Sequence, residues 1–256
     1  MSEINQFWAF CLEREQIRTK KELGELPPWT SDPILNRHKF TNINRIHDRG
    51  TELLIDAIKY YPDELKYAGA TMYRFSGSNP SIATMLKTIP SNDWYQHVQK
   101  IKPLFKMSAY QANWPSGKGQ GIKFMYNKLK PLHDLTWPKL KQNMDIPSVI
   151  KIMTDALQKL GYKAMRFQCT EIAKDLSIFT SIVDPDSVCP MNVGAIKGLQ
   201  YIFKSSSKKN VSVLKTDPAN PGYNEQILEH ALCEYSKYRD YQTGVRKPHQ
   251  KIYRKK

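Results

Sequence analysis

The sequence predicts a mainly α-helical fold, and two observations carry that prediction. Apolar residues recur at intervals of three and four over long stretches, most clearly beyond residue 147, and glycines that end helices follow these stretches. An apolar content of 40%, with 11% aromatic residues, is enough to build a core. We therefore expect one helical domain, 1–240, with two lobes around a cleft, followed by a basic tail, 241–256.

The first helices are predicted from the N-terminal quarter. Apolar residues from Ile4 to Leu12 repeat at helical spacing, and Gly24 is a suitable stop. Asp32 then resembles a helix N-cap because Pro33 follows it at the first helical position. A helix over 34–49 would place Thr41 and three arginines at steps of four on one ridge, where an anionic ligand explains the positive charges better than a solvated face does. The residues of this ridge are Arg37, Arg45 and Arg49.

The C-terminal half shows the same periodicity. One helix is expected from Pro147 to Gly161, another from near Lys163, and a last one over 227–235. In the second of these, Gln168, Glu171 and Asp175 lie on a line beside the apolar face, where partial burial would suit proton transfer. The alternative is a solvated acidic edge, with these acids paired to Arg166 or Lys174.

The net charge of +15 favours a polyanionic partner, with nucleic acid ahead of an anionic membrane. Simple self-repulsion of a basic protein is the alternative. No apolar run is long enough to span a bilayer and no secretory signal is evident, so we expect a cytoplasmic protein without a membrane partner. The motifs GxxxxGKS/T, GxSxG and HExxH are absent, which disfavours a P-loop kinase, a serine hydrolase and a zincin. The four cysteines form no CxxC pair, and we expect neither a metal nor a cofactor.

A glycine turn precedes the helix near residue 199 and is typical of the second half of a helix-hairpin-helix element. In such an element, backbone N–H groups at a helix N-terminus hold a DNA phosphate. The last twenty residues carry eight Lys or Arg and one Asp, which predicts nonspecific phosphate contact by the tail. The residues expected to contact DNA are Asn192, Gly194, Lys197 and Lys237.

Three stretches together resemble one protein family. They are FWAFCLERE (7–15) with PPWTSDPILNRHKFTNINRIHDRGT (27–51), FQCTEIAKDL (167–176) with NVGAIKGL (192–199), and EHALCEYSKY (229–238). In this order they resemble the α-glutamyl/putrescinyl-thymine pyrophosphorylases, the helical amino acid:DNA transferases of viral thymidine hypermodification. A related helical domain accompanies 5-hydroxymethyluracil DNA kinases. The chain departs from the expected Gly-Pro-Gly hairpin, having Met191-Asn192-Val193-Gly194 there.

The resemblance implies a DNA-glycosylase-like helical fold that acts on double-stranded viral DNA carrying phosphorylated 5-hydroxymethyluracil. An amine from an amino acid or polyamine replaces the phosphate or pyrophosphate of 5-phosphomethyl-deoxyuridine, and the product protects viral DNA from host restriction. The chain has no kinase motif, so a separate 5-hydroxymethyluracil DNA kinase would act first, in the host cytoplasm. Two alternatives stay open: a glycosylase-like base-excision enzyme, and a noncatalytic basic DNA-binding protein.

This chemistry gives the candidate residues their roles. Flipping exposes the base, cations stabilise the departing phosphate, and a carboxylate accepts the amine's proton. The residues expected to bind substrate or phosphate are Arg37, Lys39, Asn42, Arg45, Arg49 and Gln168. The candidate proton acceptors are Asp48, Glu171 and Asp175.

Overall fold

A computed structural model describes residues 2–76, 80–88, 120–162 and 165–246, without the side chains of 80, 81 and 120–126. The predicted helical class is confirmed, since this part of the chain is mainly helical and its β-structure is limited to one bridge, Met144–Val183. The helices are α1 (Glu3–Glu22), α2 (Pro33–Arg37), α3 (Arg49–Ile58), α4 (Asp63–Phe75), α5 (Pro80–Leu86), α6 (Gln120–Thr136), α7 (Ile146–Lys159), α8 (Arg166–Phe179), α9 (Val193–Phe203), α10 (Asn210–Thr216) and α11 (Glu225–Gln242).

The chain divides into two compact units. Unit 1 joins Met1–Asp48 to Cys189–Lys256, and unit 2 is Arg49–Val188. Unit 1 therefore contains α1, α2 and α9 to α11, whereas α3 to α8 belong to unit 2. A DNA-glycosylase-like arrangement and a helix-hairpin-helix element remain predictions.

Polar caps fix several helix starts that the sequence predicts. Asp32 caps α2, with its Oδ1 accepting hydrogen bonds from the backbone N–H groups of Ile34 (2.7 Å) and Leu35 (2.9 Å). The predicted helix from Pro147 is confirmed as α7, and Gly161 follows it with a positive φ of 84°. The last helix, α11, is confirmed and extends to Gln242, two residues into the predicted tail. Residues 247–256 of that tail lie outside the described residues.

Unit 1 depends on a close approach of α9 and α11. A Cβ atom built on Gly198 of α9 would collide with the backbone carbonyl of Leu232 in α11. A Cβ atom on Gly194 would lie 2.5 Å from the sulfur of Cys233. Glycine at both positions therefore lets the two helices pack almost backbone to backbone.

Unit 2 is organised around α8, which packs against α4 and α7. The apolar face of α8 is fully buried and consists of Cys169, Ile172, Ala173 and Leu176. Burial raises the pKa of the Cys169 thiol to about 12, so this cysteine is a core residue rather than a nucleophile. None of the described helices is both long and apolar enough to cross a membrane.

Candidate functional site

The predicted arginine ridge is wrong. Helix α2 ends at Arg37, Arg45 begins a 3-10 turn (Arg45–His47), and Arg49 is the first residue of α3. The three arginines therefore lie on three separate elements. Arg45 is also buried, with 7% of its surface exposed, whereas Arg37 and Arg49 are exposed.

Side-chain hydrogen bonds to the backbone explain why the helix over 34–49 does not form. Asn42 donates from its backbone N–H to Asp48 Oδ1 (3.0 Å) and from its side-chain amide to the carbonyl of His47 (2.6 Å). Asn44 Oδ1 accepts from the N–H of Ile46 (3.1 Å). These short polar side chains satisfy backbone groups that a helix would otherwise pair, so they favour a compact loop over 42–48.

A polar cluster in unit 1 holds the start of this loop against α1 and α11. We call it the Thr41 centre; its members are Arg14, Thr41, His230 and Glu234. The Arg14 guanidinium donates to the Thr41 carbonyl (3.0 Å), and the Thr41 N–H donates to Glu234 Oε2 (3.0 Å). The Thr41 hydroxyl lies 2.9 Å from His230 Nε2. Arg14 and Glu234 are buried, so these charge-assisted bonds fix the backbone at Thr41 firmly.

The Thr41 centre joins two of the stretches on which the family resemblance rests. FTNINR (40–45) supplies Thr41, and EHALCE (229–234) supplies His230 and Glu234, although nearly the whole chain separates them. Neither His230 nor Glu234 is among the site residues predicted from the sequence. Their spacing of four, on one face of an amphipathic helix, was the available signal.

Asp48 is the predicted proton acceptor that unit 1 contains. It is half-buried, and its Oδ1 accepts the Asn42 N–H. In the part of the chain that the structure describes, no cation is paired with this carboxylate. Its second carboxylate oxygen makes no hydrogen bond with another described residue.

The predicted acids of unit 2 are each held by a cation. Asp175 is fully buried and binds Arg74 in a bidentate pair, with Nε to Oδ2 at 2.6 Å and Nη2 to Oδ1 at 2.8 Å. Burial alone would lower the pKa of Arg74, but the charge and hydrogen bonds of Asp175 outweigh burial and raise it. Arg74 also donates to the hydroxyl of Thr51 (3.3 Å), which ties α8 to α4 and α3.

Glu171 lies one turn before Asp175 and has a different partner. Its Oε1 is 3.2 Å from Nζ of Lys174, a side chain that is only 1% exposed. Lys174 was the alternative partner expected from the sequence, and Gln168 on the same helix is buried. Two carboxylates and two cations thus lie together in this region, and each acid accepts hydrogen bonds from a cation.

The residues expected to contact DNA take part in packing and ion pairs within unit 1. The Asn192 side chain caps α9 by accepting the Ala195 N–H (2.8 Å), and Gly194 faces α11. Lys197 pairs with Asp240 (2.6 Å), and Lys237 pairs with Glu234 (2.6 Å). The described residues include no group of three His, Cys, Asp or Glu side chains that could hold a metal ion.

Comparisons with known proteins identify relatives of this chain. Residues 2–73 match the family described as "5-hmdU DNA kinase, helical domain". A 5-hmdU DNA kinase of Bacillus phage SP10 is 24% identical over 298 aligned positions, which cover 94% of this chain and 46% of the kinase. The chain thus spans less than half the length of that relative. No solved structure matches. The chain is therefore related to the helical domain of the 5-hmdU DNA kinases.

Proposed function

We propose that this protein is a DNA hypermodification transferase of phage thymidine metabolism. It replaces the phosphate or pyrophosphate of 5-phosphomethyl-deoxyuridine in double-stranded DNA with an amine from an amino acid or polyamine. The observation that carries the proposal is the match of residues 2–73 to the helical domain of a kinase for the corresponding base. The resemblance of three separate stretches to the amino acid:DNA transferases supplies the reaction type.

The proposed reaction requires no covalent bond to the protein. The uracil ring expels the phosphate, breaking the C–O bond and leaving an exocyclic methylene at C5. The amine nitrogen then forms a C–N bond to that methylene carbon, and the surplus proton of the ammonium passes to a base. Phosphate departs with the electron pair of the broken bond, so exposed cations that bind phosphate stabilise the transition state.

We assign the proton acceptor to Asp48. Of the three carboxylates predicted from the sequence, Asp175 is enclosed by Arg74 and Glu171 is paired with Lys174. A proton on either carboxylate would remove the negative charge that its buried cation contacts. Asp48 is half-buried and keeps one oxygen available.

The test is a transfer assay on duplex DNA that contains 5-phosphomethyl-deoxyuridine, with isotope-labelled glycine, glutamate and putrescine in separate reactions. The DNA is digested to nucleosides and analysed by mass spectrometry. A heavier nucleoside carrying the label supports the proposal. No labelled nucleoside with any amine contradicts it.

Asp48→Asn is the matched variant for the assigned base. Asparagine keeps an oxygen that can accept the Asn42 N–H, so the loop over 42–48 should persist while proton acceptance is lost. We expect transfer to fall at least 100-fold with little change in melting temperature, within the range for loss of a general base. Unchanged transfer in this variant would remove Asp48 from the mechanism.

One observation favours a second candidate, a noncatalytic DNA-binding component that works with a kinase. The match is to the helical domain of a kinase, and the chain spans only 46% of the kinase relative. In that case the assay yields no labelled nucleoside, although the protein still binds the duplex. Release of free base would instead identify an excision enzyme.

A further inference from the structure

An aromatic stack fixes a basic tripeptide on the surface of unit 1. Helix α2 ends at Arg37, and His38 and Lys39 follow in the sequence. The His38 ring stacks on the Tyr241 ring of α11, with centroids 3.7 Å apart and planes 6° from parallel. Phe40 packs edge-on against the same tyrosine at 6.2 Å. The backbone around His38 is therefore anchored to the end of α11.

The cations on both sides of His38 remain available to a ligand. His38 is extended, with φ of −108° and ψ of 148°, and turns towards Tyr241, whereas Arg37 and Lys39 are exposed. Neither cation has a carboxylate partner among the described residues. Cations on α9 and α11 differ in this respect, because Lys197 and Lys237 are both ion-paired.

A third cation adjoins the same ring. The Arg246 guanidinium carbon lies 5.7 Å from the centroid of Tyr241, and its backbone N–H donates to the carbonyl of Asp240 (2.9 Å). Five more Lys or Arg residues follow in the sequence between 247 and 256. The Asp240 carboxylate pairs with Lys197 and accepts from the Tyr201 hydroxyl, and no ion pair joins it to Arg246 among the described residues.

We propose that Arg37, Lys39 and Arg246, held by the His38–Tyr241 stack, form a surface that binds the phosphate backbone of duplex DNA. We call these five residues the stack patch. This inference rests on the proposed DNA substrate, and it assigns Arg37 and Lys39 to backbone contact rather than to the departing phosphate. Cations on an anchored backbone bind phosphates without the cost of ordering the chain that carries them, and such contacts carry no base specificity.

Salt dependence of binding tests the proposal, because each lost phosphate contact reduces the magnitude of the slope of log K against log salt by about 0.9. Affinity for an unmodified duplex is measured by fluorescence anisotropy over a salt series. The double variant Arg37→Gln, Lys39→Gln should reduce the magnitude of the slope by about 2. The matched control removes two exposed lysines of the loop between α9 and α10, in Lys208→Gln, Lys209→Gln. It should change the slope much less.

A further variant tests the stack itself. Tyr241→Ala retains Arg37, Lys39 and Arg246 but removes the ring on which His38 stacks, so the backbone around His38 loses its anchor. We expect Tyr241→Ala to bind DNA more weakly than Tyr241→Phe, which keeps an aromatic ring. An unchanged slope in the Arg37/Lys39 variant, or an equal loss in the Lys208/Lys209 control, overturns the proposal. Tighter binding of polyglutamate or duplex RNA than of DNA overturns the choice of partner. Because the duplex in this binding experiment is unmodified, its result does not depend on the outcome of the transfer assay.

Discussion

Replacing Asp175 by Asn should strongly lower the stability of unit 2, although the two side chains have nearly the same size. The side chain is fully buried and both its oxygens accept from Arg74, at 2.6 and 2.8 Å. Asparagine can accept only one of these bonds and brings no negative charge to the buried guanidinium. Loss of one partner of such a pair costs about 3–5 kcal/mol. For a chain of this size, that loss corresponds to a fall in melting temperature of roughly 6–20 °C.

Thermal and urea denaturation, followed by circular dichroism, measure this effect. Glu171→Gln is the matched control, because Glu171 is on the same helix and its side chain is 14% exposed; it should lose less than half as much stability. The double variant Asp175→Leu, Arg74→Met removes both charges and should recover most of the loss. If Asp175→Asn kept the parent melting temperature but abolished transfer, Asp175 would be the base and our assignment to Asp48 would fail.

Three further predictions concern packing, the Thr41 centre and pH. Gly198→Ala should destabilise unit 1 by about 1–3 kcal/mol in denaturation experiments, because its Cβ meets the Leu232 backbone; a gain in stability from better helix propensity would contradict this. Glu234→Ala should accelerate hydrogen exchange at the Thr41 amide, which Glu234 holds at 3.0 Å, and equal exchange in both proteins would exclude the bond. Burial lowers the pKa of His133, so the unfolded state binds a proton more readily than the folded state. Stability should therefore fall as pH drops below about 6.5. His133→Gln should make this decline shallower in urea titrations, and an unchanged pH dependence would contradict the prediction.

Local patterns in the sequence predict the helices whose signals are local. The stripe beginning at Val149, with Gly161 behind it, is α7, and the Asp32-Pro33 pair begins α2 as expected. For α7 the apolar face and the stop agree, whereas for α2 the cap alone fixes the start of the helix. Such elements require no knowledge of distant partners.

The arginine spacing from 37 to 49, in multiples of four, is misleading because side-chain hydrogen bonds to the backbone hold residues 42–48 in a loop. Between these arginines, Asn42 and Asn44 hydrogen-bond to nearby backbone, and Thr41 is held by Glu234 from α11. The turn-forming side chains were visible in the sequence, but the long-range acceptor was not. Local and long-range hydrogen bonds together therefore favour a loop over a helix in this segment.

The same limit applies to the acids of α8. Their placement beside an apolar face follows from spacing alone, and Asp175 is indeed buried. Its partner Arg74 lies 101 residues earlier, near the end of α4, and no pattern around Asp175 indicates it. Whether an acid is free or paired depends on such partners, which is why the sequence could propose three candidate bases but not choose among them.

The most direct test of the central claim is the mass of the nucleosides released from 5-phosphomethyl-deoxyuridine DNA after incubation with this protein and a labelled amine. Our account predicts a thymidine derivative that carries the label and lacks phosphate, formed by the parent protein and lost in Asp48→Asn. Recovery of the phosphorylated nucleoside alone, with DNA binding intact, would contradict it.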